Sequence, residues 1–506
     1  MRRSILAVVA LALAVTLAGP SPTVATPPAA PEDPALAAVR AIFGETAASA
    51  RRTDSADRPE ASLALRDLFV ALPRLDTDDR REAQDYLARP TDGGSDVFGD
   101  GYTVPARKKC RNHICIHWVP TTADAPPNAD WVRSNLAFAN KVWRTEVGQL
   151  GYRRPIGDRK RGGNGKLDVY LKDVGSRGVY GYCAPERRAK GRKWLASGYC
   201  VLDNEFAAAQ FGGAAPRDSM RVTTAHELFH AVQYAYDYGE DPWLMEATAT
   251  WMEERVADDV NDSRQYLPYG QLGRPAQSLD RFSQQGFNQY GNWAFFEHLS
   301  SQYGPRVVRT IWNRAGAFAG AGHQYSTAAV RSALAGRGGF KSVFRAYAAA
   351  NLAPGRTYGE GKSWPIAPAA RTWTVTQAAR RASTTLRVNH MASRKVQVRP
   401  GSGIKRGWQL RVAVDGPVGR TSPAASLVVK RENAVTAKPI PLNRKGQGRV
   451  DVPFGSRRIR SATVVLVNAS TRFSCWHRTD WSCQGRARDN RQSFAVTVTA
   501  VAPRRG

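Results

Sequence analysis

Long apolar runs are missing from this chain after its first eighteen residues. No later stretch reaches the ~18 apolar residues that a membrane-spanning helix needs, so no membrane span is expected. Acids are also scarce: 43 Asp and Glu face 73 Lys and Arg, a formal net charge of +30. Cysteine is limited to six residues, Cys110, Cys115, Cys183, Cys200, Cys475 and Cys483. They fall into three close pairs, and the economical pairing joins neighbours, so that each bridge staples a local loop. None lies beside the histidine motif described below, which argues against a cysteine–zinc set. If all six are oxidised, a free catalytic thiol is excluded too. Histidine is rare, at eight residues. No internal repeat and no nucleic-acid-reading motif is recognisable.

What is present describes an exported, multidomain globular protein. At 506 residues the chain is too long for one ordinary core, so two or three domains are expected. Its 42% hydrophobic and 23% charged residues suit packed domains. The N-terminus reads "MRRSILAVVALALAVTLAGPSPTVATPPAA". Arg2 and Arg3 precede an apolar run from Ile5 to Ala18, with small residues around Thr23 to Ala25. That is the layout of a signal peptide, assigned to residues 1–28, and it implies secretion.

Residues 29–104 form an acidic leader. Between Ala29 and Gly101 there are nine arginines, no lysine and fifteen acids, while the first 28 residues carry only two charges, both positive. The body after the leader therefore holds +34. An acidic leader before a basic body suggests charge complementarity. "SLALRDLFVALPRL" and "RREAQDYLAR" have helical spacing, and "TDGGSDVFGDG" reads as a loop. The leader is read as a pro-segment, with a simple helical extension as the alternative.

Over residues 105–368 strands and helices alternate. "HICIHWV", "KLDVYLKDV" and "GYCVLDNEF" read as strands, "ADWVRSNLAFANKVWRTEV" as an amphipathic helix, and the second half as helical, an α+β domain. "GYCVLDNEF" is a candidate edge strand able to pair with an extended peptide, or an ordinary covered edge. From 369 to 506 the period changes to two, with seven short alternating segments from "TTLRVNH" to "FAVTVTAV". These predict an all-β sandwich, an accessory domain without a catalytic constellation.

The chemistry centres on "RVTTAHELFHAVQYAYDYGEDPWLMEATATWMEE", Arg221 to Glu254. His226, Glu227 and His230 spell H-E-x-x-H. Four residues apart on a helix, two imidazoles share a face and can hold one zinc, with Glu227 placed as general base. Thr223 and Thr224 are candidate helix caps. A catalytic zinc needs a third protein ligand. The positions where a metzincin would place glycine and histidine hold Gln233 and Tyr236, and no histidine follows until His298, so a carboxylate is the better candidate. Glu246 lies on a second helix that restarts at Pro242, after the turn "YGEDP". Glu253, two turns on, is a competing ligand or a partner behind the ligands, and Glu254 is expected to be solvated. His298 is read as structural.

"HELFH…DPWLMEATATWMEE" resembles the gluzincin zinc metallopeptidases, and more narrowly the peptidase-MA-like group of secreted bacterial metalloproteases. "LDVYLKDVGSRGVYGYC" stands where that group has its strand and glycine-rich turn before the zinc helix. The resemblance covers roughly Ile114 to Leu352. It implies a zincin-like fold, His226, His230 and Glu246 as ligands of one catalytic zinc, and Glu227 as base. Two positions depart from the pattern: Ala247-Thr248 replaces a glycine-containing pair, and Thr250 stands where some gluzincins have an aspartate supporting a ligand histidine. In "FNQYGNWAFFEHLSSQYG", Tyr290 stands where a phenol could donate to the oxyanion, or could simply pack. The expected function is a secreted zinc endopeptidase acting on peptide or protein substrates. The alternative is a catalytically silent zincin-fold protein that binds a cell surface or polyanion through basic runs such as "RRPIGDRKRGGNGK" and "ERRAKGRKW". No specific nucleic-acid partner is expected.

Overall fold

The structure, a computed structural model, describes residues 32–44, 61–284, 286–455 and 458–503. The signal peptide assigned to 1–28 and the leader's residues 29–31 and 45–60 lie outside the described residues. The described chain is mixed α+β with a β-rich C-terminal region.

The leader forms three helices, α1 (Pro34–Phe43), α2 (Ala61–Ala71) and α3 (Thr77–Tyr86). Asp33 and Asp76 cap α1 and α3, each accepting backbone N–H bonds from the first turn. Leu36, Val39, Ile42 and Phe43 of α1, and Leu63, Leu65, Leu68 and Phe69 of α2, are buried in the same hydrophobic cluster as the body. Each such side chain contributes on the order of 2 kcal/mol of burial free energy. Two leader arginines are buried with them. Arg66 donates to the carbonyls of Tyr238 and Glu240 at 3.0 and 2.6 Å. Arg89 meets Asp158, Asp168 and Glu186 at 2.7–2.9 Å, all four side chains being at most 3% exposed. Leader and body thus share one core.

The body opens with a five-stranded sheet ordered β1-β2-β3-β5-β4. Its strands are β1 (Arg107–Arg111), β2 (Ile114–Trp118), β3 (Leu167–Lys172), β4 (Gly181–Arg188) and β5 (Ala196–Asp203). Cys110–Cys115 closes the β1–β2 hairpin, and Cys183–Cys200 joins facing residues of β4 and β5. The candidate edge strand "GYCVLDNEF" is corrected by this order. It forms β5, which lies between β3 and β4 with all eight residues buried. The edge belongs to β4, whose sequence "GYCAPERR" hides a strand behind glycine, proline and charge.

Helix α4 (Ala129–Trp143) packs against α5 (Pro216–Asp237), and α6 (Pro242–Val256) follows after a short turn. Then come α7 (Asn288–Gly291), α8 (Trp293–Tyr303), α9 (Arg306–Ala315), α10 (Thr327–Ala333) and α11 (Gly339–Ala350). Every residue of α5 from Val222 to Asp237 is buried, because β4, β5, α4, α6 and α9 surround it. A helix covered on all sides has no polar stripe, so its sequence lacks amphipathic periodicity.

The C-terminal region is a sandwich of two antiparallel-rich sheets, ordered β11-β10-β13-β8-β6 and β12-β9-β16-β7. The first comprises β6 (Arg371–Val375), β8 (Ala392–Pro400), β10 (Pro423–Arg431), β11 (Val435–Ile440) and β13 (Ile459–Asn468). The second comprises β7 (Arg381–Val388), β9 (Gln409–Asp415), β12 (Gln447–Pro453) and β16 (Gln492–Val501). A two-residue pair, β14 (Phe473–Ser474) with β15 (Arg486–Ala487), lies apart. The seven expected strands are all present, and β6 and β11 are additional. Val428, Val465 and Val467 of the first sheet belong to the body's core cluster, and α11 packs on β10 and β13. Asp280 and His390 form a buried ion pair across the junction, 3.0 Å apart. The loop closed by Cys475–Cys483 reaches the body: the Cys483 N–H donates to Asp241 at 2.7 Å, and Trp476 packs on Tyr325. Among the described residues, no helix is long and apolar enough to cross a membrane.

Candidate metal centre and active site

Helix α5 sets His226 and His230 one turn apart, ring centroids 5.0 Å from each other. It begins at Pro216, so Thr223 and Thr224 are interior residues rather than the expected caps, and the Thr224 hydroxyl donates to the Met220 carbonyl. The turn Tyr238–Asp241 reverses the chain, and Pro242 opens α6 after Asp241. Glu246, in the next turn of α6, arrives against both imidazoles. Its Oε2 lies 3.2 Å from His226 Nε2 and its Oε1 3.5 Å from His230 Nε2. Ligand atoms of the three residues all lie within 4.8 Å of one another, and all three residues are buried.

The other ring nitrogens settle the orientation of the imidazoles. His226 Nδ1 is 2.7 Å from Glu253 Oε1, and His230 Nδ1 is 2.8 Å from Gln233 Oε1. The Gln233 amide nitrogen donates to the Met245 carbonyl at 2.9 Å, so its oxygen accepts from the His230 N–H. Both rings therefore direct Nε2 toward Glu246. Of the two glutamates, Glu246 joins the Nε2 side and Glu253 stands behind His226. Glu253 supplies the carboxylate support that Thr250 does not; the Thr250 hydroxyl donates to the Glu246 backbone carbonyl instead.

Burial disfavours a charged His226, but hydrogen bonds to Glu246 and Glu253 outweigh it and hold the imidazole well above its ordinary pKa. Burial pushes the Glu253 carboxyl up to about 8, with His226 acting the other way. Glu254, expected in solvent, is buried. It accepts a hydrogen bond from Ser263, and burial raises it to about 7.

Glu227 lies on the same helix at the floor of a cleft of about 100 Å³. The Gly178–Gly181 turn and Tyr266, Phe287 and Tyr290 line it. The Ser62 hydroxyl, from leader helix α2, donates to Glu227 Oε2 at 2.7 Å. Tyr290 is half-buried, its ring 6.1 Å from that of His226 and 5.2 Å from that of Tyr266, so it both packs and faces the cleft. His298 is buried beside Tyr347 and Tyr358, and burial lowers it to about 4; it is not part of this cluster.

The expectation that no cysteine neighbours the motif holds only along the sequence. In space, Cys183 Sγ is 2.8 Å from the Glu227 carbonyl oxygen. Among the described residues, two other clusters offer metal-type side chains. In Cys115, His117 and Asp168, the cysteine is spent in a disulfide and Asp168 is paired with Arg89. In Glu254, Asp258 and Glu360, Asp258 is exposed and Glu360 is paired with Arg264.

The motif reading missed Gln233 and Ser62. Gln233 was readable, three residues after His230 on the same helix. Ser62 was not, because 165 positions separate it from Glu227.

Residues 94–320 match a family described as a family of unknown function (DUF6055). No curated protein matches. Among solved structures, the chain is similar to a mutant of PliG-Ec, a periplasmic inhibitor of g-type lysozyme from Escherichia coli, at 14% identity over 26% of this chain and 100% of that one, TM-score 0.15. It is also similar to CorA, a surface-associated copper-binding protein of Methylomicrobium album BG8, at 12% identity over 27% of this chain and 98% of that one, TM-score 0.16. Likenesses at these TM-scores carry nothing over to this chain's fold or activity.

Proposed function

We propose that this protein is an exported, zinc-dependent endopeptidase of gluzincin type, with His226, His230 and Glu246 as metal ligands and Glu227 as general base. The observation that carries it is the convergence of two Nε2 atoms and one carboxylate beside a glutamate in a cleft. A tetrahedral site with bonds of about 2.0–2.1 Å has ligand–ligand edges of about 3.3 Å. The spacings of 3.2 and 3.5 Å, each to a different oxygen of Glu246, are of that order. Glu246 Oε1 is buried and makes no hydrogen bond, as suits an atom reserved for a cation. Each ligand imidazole has its other nitrogen held, by Glu253 or Gln233.

When bound, zinc supplies Lewis-acid polarisation of a carbonyl and a lowered pKa for water. Glu227 takes the proton of the attacking water and returns it to the leaving amine nitrogen. Tyr290 faces the same cleft and is the candidate donor to the carbonyl oxygen as charge develops there. Three disulfides accord with an extracellular site of action. A silent cell-surface or polyanion binder is the rival reading. It draws on exposed basic residues such as Arg107, Lys108, Lys109, Arg159 and Lys160. An acidic base placed in the cleft favours the enzyme.

The test uses a chain that keeps the leader, since the leader is part of the core. Cleavage of an unfolded protein substrate is expected in the parent and is lost with chelator and in Glu227→Gln. Equal cleavage by parent and variant would remove Glu227 from the mechanism. Zinc bound without any cleavage would move the assignment to the binding protein.

A further inference from the structure

We propose that leader helix α2 is a permanent part of the active site, and that Ser62 is a positioning residue for Glu227. This rests on the reading of Glu227 as base. The Ser62 hydroxyl bridges two functional groups. It donates to Glu227 Oε2 at 2.7 Å and accepts from the Cys183 N–H of β4 at 2.9 Å. A donor on one carboxylate oxygen fixes the plane of the carboxylate, and so the direction of its second oxygen. The same contact occupies the unpaired outer side of β4 at Cys183, where α2 packs along the strand. The neighbouring Ala61 forms part of the cleft wall.

One turn further along α2, the buried Arg66 ties down the carbonyls of Tyr238 and Glu240. These lie in the turn that joins the helix of His226 and His230 to the helix of Glu246. The leader thus touches the base and braces the geometry of the ligand helices. Separation would leave Asp158, Asp168 and Glu186 buried without Arg89, and would uncover the apolar face of α2. Buried charges stripped of their partner are strongly unfavourable. A detachable inhibitory segment would be held by an interface it can leave; this one is held by the core.

The experiment inserts a specific-protease site between Val104 and Pro105, a stretch of half-buried and exposed residues, into the exported chain. After cutting, the leader is expected to co-elute with the body in native buffer and to separate only in denaturant, with activity unchanged. Release of the leader in native buffer, or a rise in activity on cutting, would overturn the proposal. In parallel, Ser62→Ala is expected to lower kcat about tenfold with KM and zinc content unchanged, and Ser62→Thr to restore most of it. The cobalt(II)-substituted protein gives a readout that needs no substrate, since Ser62→Ala should shift its visible bands. Unchanged kcat and unchanged bands would remove Ser62 from the site. The underlying reading fails separately, if the parent binds no zinc that His230→Ala abolishes. The elution arm stands apart from that outcome.

Discussion

At the scale of single residues, the proposed zinc centre depends on side chains that stand behind the imidazoles rather than on the Nε2 side. Glu253 and Gln233 hold the far nitrogens of the two histidines. Glu253→Gln and Gln233→Ala are each expected to weaken zinc binding ten- to a hundredfold, roughly, in a competition titration against a chromophoric chelator. Affinity equal to the parent would show that the rings need no support. Tyr290→Phe separates the two roles of that phenol: as a donor to developing charge, its loss lowers kcat by about a hundredfold or more with little change in KM. As packing alone, it leaves kcat in place. The nearness of His226 to His230 was legible in the sequence because a helix converts a four-residue spacing into a shared face. Glu246 was narrowed only by resemblance, since Glu253 has the same face and the same chemistry. The choice between them lies in which imidazole nitrogen each one meets, and no spacing encodes that.

At the scale of elements, legibility followed solvent. The strands of the sandwich alternate because one face of each lies in the sandwich core, so their period is written in the sequence. Helix α5 is buried all round and β4 is rich in glycine, proline and charge, so neither shows its period. The open edge of the sheet was therefore assigned to the wrong strand. Strand β8 carries a buried exception of another kind. Lys395 pairs with Val465 on the face that joins the body's core, and burial pulls its ammonium down to about 7. An unfolded lysine titrates near 10.4, so between about pH 7 and 10 the unfolded chain binds more protons at this site. The site's contribution to stability therefore rises with pH through that window, and its cost is full below about pH 7. Lys395→Met should stabilise the protein by up to on the order of 4 kcal/mol at neutral pH, the gain shrinking as pH approaches 10. Denaturant unfolding at pH 6, 8 and 10 measures it; a gain independent of pH would assign the effect to packing.

At the scale of the molecule, three segments that composition separates are joined by buried polar contacts. Arg89 supplies the cation for three buried acids of the body. Arg89→Met is expected to cost about 3–5 kcal/mol in equilibrium unfolding, because three buried carboxylates lose a buried cation, Asp168 keeping His117 and Glu186 keeping the more exposed Arg161. A loss below about 1 kcal/mol would place that network in contact with solvent. Charge counting divided the chain into an acidic leader and a basic body. It could not tell whether the two attract across a surface or through a core, since both give the same sum. The sandwich is joined as firmly, through His390 with Asp280 and Cys483 with Asp241.

That last contact has a consequence in time. A polypeptide is synthesised and threaded across a membrane from its N-terminus. Asp241 stands at the start of the helix that bears Glu246, and it waits for an N–H that lies 242 positions downstream. Ser62, made early, waits in turn for Glu227. The contact at Asp241 is therefore completed only when almost the whole chain has emerged. On the function proposed here, a nascent chain still inside its maker is an incomplete hydrolase, and the order of synthesis itself delays its first cut.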